Sequence, residues 1–211
     1  MKVITFALAK GRLAKSAMGV LKELGITCSE MDEKSRKLVF TSDDAKYRFF
    51  LSKVADVPTF VDYGVADIGI VGKDTILEEG RNVHEIMDMG FGKCKMAVAG
   101  RPEMIEKYQN GGALRVATKY PSITSNFFFN TRKQNVEIIK LNGSVELAPI
   151  VGLSDIIVDI VESGATLKEN GMVVFEDICD LSARVIVNPA SMKMEYEQIN
   201  ALAERMRKQL K

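Results

Sequence analysis

Apolar and polar positions along this chain follow two alternating periods. Lys2 to Leu8 is a nearly unbroken apolar run that reads as a buried strand. After the polar turn Lys10-Gly11-Arg12, the positions Leu13, Ala17, Val20, Leu21 and Leu24 recur at helical spacing and stop at Gly25. Lys37 to Thr41 and Tyr47 to Ser52 flank the polar turn Ser42-Asp43-Asp44 and predict a hairpin. Asp56-Val57-Pro58 opens a short helix closed by Gly64, and Asp67 to Val71 is another buried strand, followed by a helix through Glu79. Cys94 to Ala99 is a further strand. A stretch containing Gly100, Pro102 and Asn110-Gly111-Gly112 then marks a break, the expected hinge region.

Beyond the break a second series begins: strand Leu114 to Thr118, helix Ser122 to Thr131, strand Val136 to Leu141, and short helix Val145 to Val151. Strand Asp155 to Val161 and a helix over Ala165 to Asn170 follow. This βαβαβα order predicts an α/β protein with parallel sheets and ligands at the carboxyl ends of strands. Ala183 to Val187 adds a strand. The tail from Ser191 to Lys211 is an amphipathic helix with Ile199, Leu202, Met206 and Leu210 on one stripe, as for an element packed on its own lobe.

Composition narrows the function. The 211 residues carry 29 basic and 28 acidic side chains, a net charge of +1, which argues against a protein built to neutralise nucleic acid or an anionic membrane. Three separated cysteines, Cys28, Cys94 and Cys179, indicate neither a disulfide framework nor a zinc knuckle. No run approaches the roughly 20 apolar residues of a membrane span, and the amino terminus lacks the order of a secretory signal. A cytoplasmic protein is expected. His84, the single histidine, cannot furnish a histidine-based zinc site, and Phe127-Phe128-Phe129 reads as core.

The most informative stretch runs from Asp155 through Asp159 to Leu167. Asp159 sits in an apolar strand, where an unpaired carboxylate costs several kcal/mol. The strand ends in Glu162-Ser163-Gly164-Ala165-Thr166, whose glycine, hydroxyls and following helix start suit a phosphate. A purely structural alternative has Asp159 paired within the core and the loop as a capped turn. Upstream, Ser144 is a possible helix cap and Glu146 falls in a first turn, where it would favour the helix dipole or face a ligand. Lys10, Gly11 and Arg12 stand directly after a strand, where an anion or plain solvent would meet them. Arg36 precedes the hairpin. These features describe two α/β lobes with phosphate-binding residues on both sides of a cleft.

The segments Ala9 to Arg12, Ser35 to Leu38, Asp56 to Pro58, Gly64 to Asp74, Val116 to Pro121, Leu141 to Gly152 and Asp155 to Gly171 resemble, in order, those of the ATP phosphoribosyltransferase family. The resemblance implies a two-lobed fold like that of type II periplasmic binding proteins, with the active site in the inter-lobe cleft. It places lobe I at 1–93 plus 178–211 and lobe II at 94–177. The implied reaction joins ATP, through N1 of adenine, to the anomeric carbon of phosphoribosyl pyrophosphate, releasing pyrophosphate with the help of magnesium. By resemblance, Glu162, Ser163, Gly164, Ala165 and Thr166 hold the ribose phosphate, and Asp159 the ribose hydroxyls. Lys10, Gly11 and Glu146 join the substrate-binding set, while Arg12 and Arg36 approach the phosphates and the leaving group. Asp155 and Asp159 are the candidate magnesium carboxylates, the alternative being magnesium held by the substrates' phosphates alone.

Lys53 stands where many relatives carry arginine, which turns a bidentate contact into a point charge. The chain resembles the short form of the family, which lacks the histidine-binding regulatory domain. That form implies a homodimer joined in a hetero-octamer by a regulatory subunit similar to histidyl-tRNA synthetase. A solute-trapping binding protein and a phosphoribosyltransferase with another nucleophile are the competing expectations.

Overall fold

In the computed structural model, which describes residues 2–31, 35 and 37–210, the first apolar run becomes β1 (Ile4–Ala9) and the helical stripe after it becomes α1 (Arg12–Glu23). β2 (Val39–Thr41) and β3 (Tyr47–Ser52) pair antiparallel as the hairpin. α2 (Val57–Asp62), β4 (Ile68–Gly72), α3 (Lys73–Glu79) and β5 (His84–Asp88) follow. β5 has no apolar run to announce it, because His84, Glu85 and Asp88 interrupt its apolar positions.

The second series comprises β6 (Cys94–Gly100), α4 (Ile105–Gln109), β7 (Leu114–Thr118) and α5 (Pro121–Ser125), which continues into a π-helical turn over Asn126–Thr131. Then come β8 (Val136–Lys140), α6 (Leu147–Ile150), β9 (Ile156–Val161), α7 (Ala165–Glu169) and β10 (Val173–Leu181). β11 (Ala183–Val187), α8 (Pro189–Met194) and α9 (Tyr196–Gln209) close the chain.

Two compact units result, one from residues 1–92 and 182–211, the other from 93–181. The return boundary expected at 177/178 falls inside β10, whose ladder with β6 extends to Leu181 and keeps 178–181 in the second unit. The Gly- and Pro-containing stretch is not the connection between units. It runs from the end of β6 through α4, wholly inside the second unit.

Each unit is built on one mixed sheet, of order β2-β3-β1-β4-β11-β5 in the first and β10-β6-β9-β7-β8 in the second. The expected parallel pairing holds for β1 with β3 and β4, and for β7 with β8 and β9. It fails for β11, which lies antiparallel to β4 and β5, and for β6, which lies antiparallel to β9 and β10. No crossover helix precedes β11, and an antiparallel neighbour requires none.

Side-chain alternation assigns the faces. In β1, Ile4, Phe6 and Leu8 meet Leu21 of α1 and Leu202 and Met206 of α9, whereas Ala7 and Ala9 meet Val57 and Val61 of α2. The tail helix thus buries its stripe on its own unit. In the second unit, Met96, Val98, Val116, Ile156 and Val158 pack on Phe127 and Phe128, while Ala99, Ala117 and Ile157 face Val145, Ala148 and Leu167.

Candidate functional site

β7, β8 and β9 run parallel, so their carboxyl ends lie at one edge of the second unit. Three connections leave that edge: 119–120 after β7, 141–146 after β8 and 162–164 after β9. On the sheet face below, Ala97 and Ala99 present only methyl groups, and the volume they leave becomes a pocket of about 260 Å³. Ile157, Asp159, Glu146 and the Glu162–Thr166 loop complete its wall. The structure therefore brings together Glu146, Asp159, Glu162, Ser163, Gly164, Ala165 and Thr166.

The loop is shaped by Gly164, which adopts φ 73°, ψ 2° at the start of α7. A side chain there would touch only Val161 Cγ1 at 3.9 Å, so glycine serves the left-handed backbone rather than space. Ser163 Oγ accepts from the Ala165 amide at 3.3 Å, and the Gly164 carbonyl accepts from Lys168 at 3.0 Å. The amides of Gly164 and Thr166 make no hydrogen bond among the described residues. Two such donors, one on either side of the Ala165 amide on a sharp turn, are an arrangement suited to an anion. α7 spans Ala165–Glu169, too short for its macrodipole to be the main attraction.

Asp159 lies opposite Ala97 and directs its Oδ1 to accept from the Ile160 amide at 2.8 Å. Among the described residues it makes no ion pair, so the core-pairing alternative is not what the fold builds. Burial pushes its carboxyl above the ordinary value, opposed by the Ile160 N–H, reinforced by Glu146 and opposed again by Lys119. Glu146 is half-buried beside it. The expected Ser144 cap is not formed: Ser144 takes φ 48° and α6 has no side-chain cap. With α6 a single turn over Leu147–Ile150, a dipole role for Glu146 is weak.

Asp155 does not join this group. It precedes β9 at the opposite end of the strand, about 13 Å from Asp159 at ~3.3 Å per residue. There it accepts from the Arg115 amide at 2.8 Å and lies 3.6 Å from both Lys107 Nζ and an Arg115 guanidinium nitrogen. Burial raises its carboxyl, but the Arg115 hydrogen bonds and the Lys107 and Arg115 charges outweigh this and leave it below the ordinary value. Asp155 and Asp159 are not joint ligands of one ion. Among the described residues, no three His, Cys, Asp or Glu side chains are grouped to hold a metal.

In the first unit, Lys10 and Arg12 are exposed at the start of α1, and Gly11 at φ 101°, ψ −148° occupies a region open to glycine. Arg36 lies outside the described residues. Sequence reasoning missed Ala97 and Ala99, whose role depends on which strand pairs with β9.

The family model described as HisG: ATP phosphoribosyltransferase matches residues 53–208. An ATP phosphoribosyltransferase of Lachnoclostridium phytofermentans is 61% identical over 211 residues, covering 100% of this chain and 98% of that protein. One from Bacillus pumilus is 50% identical over 205 residues, covering 97% and 94%. Among solved structures, the ATP phosphoribosyl transferase (HisG:HisZ) complex from Thermotoga maritima superposes with TM-score 0.81 at 34% identity, covering 98% of each chain. The periplasmic aliphatic sulphonate binding protein SsuA of Escherichia coli shares the fold, with TM-score 0.64 at 11% identity, covering 100% of this chain and 73% of that one.

Proposed function

The chain belongs to the ATP phosphoribosyltransferase family, and from that premise we propose that the pocket at the carboxyl ends of β7, β8 and β9 holds the phosphoribosyl group. The protein is a pentosyltransferase that condenses ATP with phosphoribosyl pyrophosphate, giving phosphoribosyl-ATP and pyrophosphate, the first step of histidine biosynthesis. The observation that carries the assignment is the cradle: a left-handed Gly164 with amides at Gly164 and Thr166 that make no hydrogen bond among the described residues, next to the carboxylates of Asp159 and Glu146. Amides at 162–166 take the ribose phosphate, and Asp159 and Glu146 accept from ribose hydroxyls. Lys10, Gly11 and Arg12 are assigned to phosphate binding in the first unit. N1 of adenine attacks the anomeric carbon as pyrophosphate leaves, and cationic side chains stabilise the charge that develops on it.

Magnesium commonly keeps several waters and takes one or two carboxylates plus substrate phosphates rather than an all-protein cage, and no three such side chains are grouped among the described residues, so we assign it chiefly to the substrates' phosphate oxygens. It would neutralise phosphate charge there. The reaction is placed in the cytoplasm; among the described residues no helix is long and apolar enough to cross a membrane.

Mixing the purified chain with both substrates, with its partner where needed, is expected to give saturable phosphoribosyl-ATP formation by ultraviolet absorbance. Tight binding of phosphoribosyl pyrophosphate without turnover would identify a binding protein instead, and turnover with another base a different phosphoribosyltransferase. Gly164→Val is expected to raise KM for phosphoribosyl pyrophosphate about tenfold, since a branched residue at φ 73° costs roughly 1–2 kcal/mol and shifts the loop. Wild-type kinetics in that variant would make the loop merely structural.

Regulation is assigned to a separate subunit similar to histidyl-tRNA synthetase, in a hetero-octamer built on a homodimer of this chain. The likeness to the HisG:HisZ complex supports such a partner. Histidine is expected to leave the isolated chain uninhibited and to inhibit it once the partner is added, through a coupling of about 1–3 kcal/mol. Saturable inhibition without the partner would overturn this assignment.

A further inference from the structure

β7 and β9 are in parallel register, with Val116 beside Ile156, Ala117 beside Ile157 and Thr118 beside Val158. Extending that register by one residue sets Lys119 beside Asp159 on the same sheet face. The backbone there is pinned: Thr118 Oγ1 donates to the Val158 carbonyl at 2.7 Å and accepts from the Tyr120 amide at 2.9 Å, and both elements of this clamp are buried. Lys119 itself is exposed, forms no ion pair among the described residues, and has its Nζ 5.8 Å from the Tyr120 ring centroid.

The pocket beside it carries Glu146, Asp159 and Glu162, three carboxylates in a site assigned to a strongly anionic substrate. Such a wall repels phosphate unless a cation stands at its edge. Lys119 is positioned to be that cation, one register step beyond the Thr118–Val158 pair and so level with Asp159. We propose that Lys119 is a substrate-binding residue whose ammonium takes a phosphate group of phosphoribosyl pyrophosphate at the rim of the second-unit pocket. The proposal rests on the phosphoribosyl assignment of that pocket.

The test compares wild type, Lys119→Met and Lys119→Arg by calorimetric titration with phosphoribosyl pyrophosphate, ribose 5-phosphate and inorganic pyrophosphate, alongside steady-state kinetics. Loss of one charge-assisted contact is expected to weaken phosphoribosyl pyrophosphate binding and raise its KM about tenfold in the Met variant. KM for ATP should stay within about twofold, and Lys119→Arg should recover most of the loss, because a charge rather than packing is what matters. Whichever of the two simpler anions loses affinity in parallel identifies the phosphate held. Unchanged binding of all three by a folded Lys119→Met protein overturns the role of Lys119 and leaves the pocket assignment standing. Failure of wild type itself to bind any of the three overturns the pocket assignment and this proposal with it.

Discussion

Asp159→Asn is expected to lower kcat/KM for phosphoribosyl pyrophosphate by about a hundredfold, the scale of losing charge-assisted hydrogen bonds to two hydroxyls, without destabilising the fold. The substitution keeps the shape of the side chain and removes its charge. Asp159 is the one carboxylate of the pocket on the sheet itself, and it is held by burial above its ordinary pKa despite the Ile160 N–H, with Glu146 pushing the same way and Lys119 the other. A carboxyl raised in the folded state binds its proton more tightly folded than unfolded. Its contribution to stability is therefore present below the ordinary carboxylate value and is lost as pH rises through the folded value. At neutral pH the ionised group opposes folding, and asparagine does not. Thermal melts should show the variant at least as stable as wild type at pH 7, with the difference closing in acid below the ordinary carboxylate range. A large loss of stability together with the loss of activity would assign Asp159 a structural role.

The largest expected effect on stability lies in the first unit. Asp67 is 3% exposed, and its carboxylate accepts from the Thr5 amide at 2.9 Å, the Ser191 hydroxyl at 2.6 Å and the Lys2 ammonium at 2.6 Å. Its own amide donates to the Thr5 carbonyl, and its carbonyl accepts from the Asn188 amide. One residue thus fastens β1, the start of β4 and α8 together. Asp67→Ala strands a buried hydroxyl and amide without an acceptor, and breaking such a pair costs about 3–5 kcal/mol. Half-exposure of Lys2 places the expected value near 3 kcal/mol. At about 2–4 °C per kcal/mol for a chain of this size, the melting midpoint should fall by roughly 6–12 °C. Lys2→Ala, which removes only the solvent-facing partner, is expected to cost under about 1 kcal/mol. Equal midpoints for Asp67→Ala and wild type would show that the three contacts contribute nothing net.

Local periodicity was enough for most elements. The alternation of Ile4, Phe6 and Leu8 with Ala7 and Ala9, the stripe of Ile199, Leu202 and Met206, and the small-residue loop around Gly164 each carry their meaning within a few residues of chain. The bounds of β3, those of β1 and β9 to within two residues, and the turn at Gly164 were legible because steric and burial preferences at those positions act locally. What the sequence left open is whatever depends on which strand lies beside which. Insertion of β11 between β4 and β5, the placement of Ala97 and Ala99 under the cradle, and the alignment of β7 with β9 that brings the end of one strand level with Asp159 of the other are matters of register between segments tens of residues apart. Asp155 and Asp159 show the same division: neighbours in one motif, they are driven to opposite ends of a strand because extended backbone separates them by about 3.3 Å per residue. Only tertiary pairing decides that Asp155 is neutralised by Arg115 and Lys107 while Asp159 lines the pocket with no ion-pair partner among the described residues.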